Sequence, residues 1–95
     1  MSYHVDLLGP ARKDLDHLPA KLRAQVIERL TALADDPMPA DVKALTGDLR
    51  GSFRIPVAAK YRIGYDVDHD AQLISVWAIG RRDRFYQIAK RRRRG

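Results

Sequence analysis

Ninety-five residues carrying 45% apolar side chains and no cysteine make one small globular domain, without disulfides and without thiolate metal sites. The net charge of +6 is concentrated at one end: residues 81–95 hold eight Arg or Lys against one acid, Asp83, whereas residues 1–80 hold ten against eleven. No apolar run approaches the roughly 18 residues of a membrane span, and the first ten residues lack a signal peptide's basic and apolar regions, so a soluble, cytoplasmic protein is expected.

In chain order, Tyr3 to Leu8 alternates apolar and polar residues and predicts a short strand ended by Gly9-Pro10. Pro10 suits a first helical position, where its missing N–H costs nothing, and Pro10 to Leu18 reads as a short helix closing at Pro19. A second helix is predicted from about Pro19 to Ala34. Leu15, Leu18, Leu22, Val26, Leu30 and Leu33 recur at three- and four-residue intervals, with Ile27 beside them. That pattern fits an αα-hairpin or one kinked helix. Asp35-Asp36-Pro37-Met38-Pro39 stops it.

Three strands follow, over Phe53–Val57, Tyr61–Val67 and Leu73–Ile79, with Asp68-His69-Asp70 as a turn between the last two. The last strand is apolar on both faces apart from Ser75, as a central strand would be. In the first two, Phe53, Ile55, Val57, Tyr61, Ile63, Tyr65 and Val67 share one face. Arg54, Pro56, Arg62, Gly64 and Asp66 share the other. The expected fold is α+β: an antiparallel sheet, of the N-terminal strand and a three-strand meander, packed against an N-terminal helical hairpin. A ladder of cations would stand on the sheet's open face. A basic segment ends the chain, with residues from about 90 onward a frayed tail in one reading.

The site chemistry is narrowed by elimination. His4, His17 and His69 are far apart beside lone aspartates and have no metal-ligand spacing. Ser52 and Ser75 have no triad context, no glycine-rich phosphate loop is present, and no metal or cofactor is expected. What remains is a cluster of cations and phenols: Arg50, Arg54, Lys60, Arg62, Arg81, Arg82, Arg84, Tyr61, Tyr65 and Tyr86. Such a set binds polyanions, nucleic acid first among them, while a plainly solvated basic surface is the competing account. Cations and a tyrosine can also cleave RNA, whose 2′-hydroxyl is a built-in nucleophile needing orientation and charge stabilisation.

Two blocks give the pattern a family resemblance. Leu45-Thr46-Gly47-Asp48-Leu49-Arg50-Gly51, Phe53-Arg54-Ile55-Pro56-Val57 and Tyr61-Arg62-Ile63-Gly64-Tyr65 form the first. Ile79-Gly80-Arg81-Arg82 with Phe85-Tyr86 forms the second. In this order and spacing they resemble the RelE/ParE superfamily of toxins from type II toxin–antitoxin systems. The resemblance implies a toxin neutralised by a small antitoxin that wraps it, the pair reaching operator DNA only as a complex. RelE-like members enter the ribosomal A site and cut mRNA, leaving a 2′,3′-cyclic phosphate. ParE-like members poison DNA gyrase without nuclease chemistry. An inactive relic that only binds its antitoxin is a third outcome.

Carried over by position, Arg62 matches an arginine holding the scissile phosphate and Arg82 one that stabilises the transition state or leaving group. Tyr86 matches the aromatic that stacks on the cleaved nucleotide or moves a proton, and Arg54 a basic residue of the first meander strand. Pro56 stands where a RelE lysine serves as candidate base, and Arg81 where many relatives carry histidine, so the base is open, with Lys60 a substitute. Arg50, Lys60, Arg81, Arg84, Lys90 and Arg91 are the expected contacts to mRNA and ribosomal RNA, with the run Lys90 to Arg94 adding affinity through counterion release.

Overall fold

A computed structural model describes residues 2–93. Strand β1 (His4–Leu7) leads into helices α1 (Gly9–Asp16) and α2 (Ala20–Asp35). Then come a two-residue strand β2 (Lys43–Ala44), a 3-10 turn over Gly47–Leu49, strands β3 (Phe53–Val57), β4 (Tyr61–Asp68) and β5 (Leu73–Arg81), and helix α3 (Phe85–Arg93). Pro10 sits in the first turn of α1, and Pro19 separates α1 from α2, so the leucine repeat is divided between two helices. Asp36 caps the end of α2 in an extended conformation ahead of the two prolines.

The five strands form one sheet in the order β1-β5-β4-β3-β2. The meander is antiparallel as expected, but β1 pairs with β5 in parallel, His4 opposite Leu73 and Leu7 opposite Val76, so the sheet is mixed. Period-two alternation tells which face a side chain takes and is blind to strand direction, which is why the sequence suggested an antiparallel sheet throughout.

Helices α1 and α2 cover one face. Ala11, Leu15, Val26, Leu30 and Leu33 pack with Ile55, Ile63, Tyr65, Ile74, Val76 and Ile79, all buried. Ile27 falls off the stripe and is 48% exposed. The opposite face is not an open ladder: α3 and the 3-10 turn cover part of it, with Leu45, Leu49, Trp77, Ala78, Phe85 and Ala89 forming a second core. Burial of Phe85, 1% exposed, contributes about 1.5–3 kcal/mol to docking α3.

A bulge in β5 makes this second core possible. Gly64 pairs with Ala78, but the next residue, Tyr65, pairs with Val76, so Trp77 is an extra residue. The bulge shifts the alternation, and Trp77 and Ala78 both contribute to the α3 side while Val76 and Ile79 serve the α1–α2 side. Beyond the end of β1, the backbone N–H of Ile79 donates to Asp14 Oδ2 at 2.9 Å, and the Trp77 carbonyl accepts from Arg92 Nη1 at 3.1 Å. Side chains thereby satisfy backbone groups that β1 leaves unpaired.

Candidate functional site

The site lies on the α3 side of the sheet, in two neighbouring rows. Lys43, Arg54, Gly64 and Ala78 stand across β2, β3, β4 and β5, and Pro56, Arg62 and Gly80 form the next row. The glycines let α3 approach. A Cβ on Gly64 would stand 2.7 Å from Trp77 Cη2 and 2.9 Å from Phe85 Cζ, and one on Gly80 would meet Ile88 Cδ1 at 2.8 Å. Pro56 lies past the end of β2, where β3 is an edge strand and tolerates proline.

Tyr86, the second residue of α3, lies beside this surface and is 48% exposed. Arg54 Nε donates to its phenol oxygen at 3.1 Å, and the Arg54 guanidinium lies 5.9 Å from the ring centroid. Phe85 meets Tyr86 edge-on at 5.8 Å, so the exposed ring rests on a buried one. Arg62, half-buried on β4, donates from Nη1 to the Tyr61 carbonyl at 3.2 Å. Burial first, and then the guanidiniums of Arg54 and Arg82, pull Arg62 below the ordinary arginine value, with the Tyr86 phenol opposing. Arg82 is exposed, and its backbone N–H donates to the Lys60 carbonyl at 2.7 Å, which ties the end of β5 to the β3–β4 hairpin.

Arg54, Arg62, Arg82 and Tyr86 are therefore one electrostatic cluster drawn from three strand regions and a helix. Among the described residues no carboxylate pairs with any of the three arginines. Like charges held together without counter-charge form a site for an anion such as a phosphate.

The other expected cations divide. Lys60 is exposed at the hairpin tip, Arg50 is exposed after the 3-10 turn, and Arg84 is exposed just before α3. Arg81 pairs with Tyr61 across the sheet, whereas Arg62 pairs with Gly80, so alternation turns Arg81 away from the arginine cluster. It is ion-paired to Asp83 at 3.3 Å, a hydrogen bond that raises its pKa.

In the basic run, expected in one reading to be a frayed tail from about residue 90, residues through Arg93 are helical, and Arg94 lies outside the described residues. Lys90 and Arg91 are exposed, but the next two arginines are anchors. Arg92 grips Asp14 with both guanidinium nitrogens, Nη2 to Oδ1 at 2.9 Å, and these hydrogen bonds raise its pKa. Arg93 reaches Asp66 Oδ2 at 3.4 Å and donates to Ser52 Oγ at 3.2 Å. Asp66 also accepts from Ser52 Oγ and from Trp77 Nε1, the latter at 3.1 Å. Sequence reasoning missed Asp14, Ser52 and Asp66 in this role. Their partners lie 78 and 27–41 positions away, and no local pattern marks such pairs: Asp14 stands near Asp16, and Asp66 near Asp68 and Asp70, with nothing in the sequence to single out the paired acid.

Among the described residues no group of three or more His, Asp or Glu could hold a metal ion, and no helix is long and apolar enough to cross a membrane.

Comparison with known proteins agrees with this architecture. The toxin–antitoxin complex RelBE2 of Mycobacterium tuberculosis contains a chain superposing with a TM-score of 0.78 at 28% identity, covering 86% of this chain and 100% of that one. The archaeal RelE–RelB complex of Pyrococcus horikoshii gives 0.73 at 26% identity, covering 88% and 99%. A mutant of the E. coli toxin RelE with two arginines replaced by alanine, in its free state, gives 0.73 at 23%, covering 96% and 98%, a likeness of fold. A search of curated protein sequences found no match. The family model described as the ParE toxin of type II toxin–antitoxin systems matches residues 5–86. That match spans every element from β1 to the first turn of α3, and the chain belongs to the ParE toxin family, within the RelE/ParE superfamily of type II toxin–antitoxin systems.

Proposed function

We propose that this toxin is a ribosome-dependent mRNA endoribonuclease. The observation that carries the reading is the unpaired cluster of Arg54, Arg62 and Arg82, with Tyr86 fixed by Arg54 at 3.1 Å. In the proposed reaction the 2′-hydroxyl of the A-site nucleotide attacks the adjacent phosphorus. The new 2′-O–P bond forms as the P–O5′ bond breaks, giving a 2′,3′-cyclic phosphate and a free 5′-hydroxyl. Arg62 holds the scissile phosphate from a half-buried position, where a guanidinium acts more strongly than in open water. Arg82 neutralises charge on the leaving 5′-oxygen and the non-bridging oxygens. Tyr86 stacks on a base or passes a proton between the 2′- and 5′-oxygens, and Arg54 sets its position. Lys60, at the hairpin tip, is the other titratable group for the proton step. Arg50, Arg84, Lys90 and Arg91 supply contacts to mRNA and ribosomal RNA.

A cognate antitoxin is the second partner; the RelBE2 and RelE–RelB structures are toxin–antitoxin complexes, which supports it. Operator DNA is reached through that complex. The test is primer extension on mRNA in programmed ribosomes. A cut at the A-site codon by the wild type, lost in the Arg82→Ala/Tyr86→Phe double variant, is expected; no cut overturns the reading.

The family model favours one other function, inhibition of DNA gyrase, because it is that of ParE toxins. A supercoiling assay with purified gyrase decides it. Inhibition that survives Arg82→Ala/Tyr86→Phe, with mRNA uncut, would make the protein a gyrase poison.

A further inference from the structure

The cleft beside Tyr86 has no part in the bond-breaking steps above. Thr46, Gly47, Asp48 and Leu49 of the 3-10 turn form one wall, and Tyr86 with Lys90 forms the other, around about 460 Å³. A deeper cavity of about 260 Å³ continues past Asp48 and Lys90 to Arg93. The volume beside Tyr86 falls within the range of small-ligand pockets, about 300–1,000 Å³. Tyr86 and Lys90 are four residues apart on α3, so they share one face and present a ring and an ammonium side by side.

Asp48 is the anomaly. It is an exposed carboxylate on the wall of a basic site. Among the described residues neither Asp48 nor Lys90 has an ion-pair partner, while Arg93 behind them is committed to Asp66 and Ser52. A carboxylate repels the RNA backbone, so it weakens every phosphate contact nearby. What it offers in return is acceptance: two oxygens that take hydrogen bonds from N–H groups on a base edge. Guanine alone among the four bases carries two adjacent N–H donors, N1–H and N2–H, on one edge, and these match a carboxylate's two oxygens. Single-stranded RNA is read in this manner, with bases stacked on aromatic rings and hydrogen-bonded along the Watson–Crick edge.

We propose that the cleft between the 3-10 turn and α3 is a guanine-reading subsite. Asp48 accepts from N1–H and N2–H, and Lys90 holds the phosphate of the same nucleotide, next to the one stacked on Tyr86. The subsite rests on the RNA-cleavage reading and makes Asp48 a specificity determinant of that reaction.

Two measurements separate the subsite from the reading beneath it. The first compares cleavage of ribosome-bound mRNAs whose A-site codons differ only by guanine or adenine. The second measures binding of guanine- and adenine-containing trinucleotides to the free toxin by competition. Wild type should favour guanine about tenfold in both, the discrimination a bidentate base contact supplies. Asp48→Asn, which replaces one acceptor by a donor, should bring the ratio close to one while adenine codons are cut no more slowly. Unfolding curves for the variant should match wild type, since Asp48 is exposed. A guanine preference that survives Asp48→Asn, or none in wild type, overturns the subsite even where cleavage is robust. Asp48-dependent guanine binding without cleavage would retain the subsite and remove the nuclease.

Discussion

Arg54 donates its Nε–H to the phenol oxygen of Tyr86 at 3.1 Å, joining the start of β3 to the first turn of α3 across 32 positions of sequence. The bond holds an exposed aromatic in one place over the arginine cluster. Tyr86→Phe removes both the bond and the exchangeable proton. Cleavage by the variant is expected to fall about 100-fold, the lower range for loss of a general acid or base. Its stability should stay within about 0.5 kcal/mol of wild type, because an exposed hydroxyl adds little to the fold. Single-turnover cleavage and thermal unfolding measure the two quantities. Intact cleavage with lowered stability would assign the phenol a structural role instead.

The two site glycines should differ in cost. Gly64→Ala drives a methyl to 2.7 Å from the Trp77 ring, which is held by Phe85 and by its own bond to Asp66. Gly80→Ala meets only the flexible end of Ile88. Overpacking of the first kind costs about 1–3 kcal/mol, and the second should cost clearly less. Urea unfolding of the two variants gives the order; equal losses would mean that Trp77 moves as freely as Ile88.

Arg92→Ala tests whether the basic run anchors the helix. It leaves Asp14 without its guanidinium and the Trp77 carbonyl without its donor. Loss of such charged hydrogen bonds costs about 1.5–3 kcal/mol. Arg91→Ala, one residue away and exposed, should leave stability unchanged and reduce the salt dependence of ribosome binding. Equal stability of the two variants would count against the anchor.

Tyr65 carries a pH dependence. Its buried phenol donates to the Pro37 carbonyl at 2.7 Å, and burial raises its pKa well above the ordinary tyrosine value. A group that must stay neutral when folded contributes stability that is whole below about pH 10, its unfolded value, and is lost as pH rises toward the folded one. Wild type should therefore lose stability above pH 10 more steeply than Tyr65→Phe, which should itself be weaker by about 1 kcal/mol at neutral pH. Parallel pH profiles for the two proteins would refute the assignment.

The amino-acid sequence by itself determined six of the elements, though not helix α3, and the residue types of the candidate site. Proline and glycine positions, leucine spacing and strand alternation report local backbone preferences, and they located β1, α1, α2, β3, β4 and β5 to within a few residues. The family resemblance named Arg54, Arg62, Arg82 and Tyr86 as candidates, and the fold brings these four together. The sequence did not carry the direction of β1, because alternation is the same in parallel and antiparallel strands. Nor did it carry the second core. Trp77 joins that core through a bulge, which breaks the period on which the reading depended. The tertiary structure alone decided which cations of the charged end are free. Asp14 and Asp66 reach Arg92 and Arg93 across the fold, leaving Lys90 and Arg91 to solvent, since the pairing of a charge depends on what folding brings within a few ångströms.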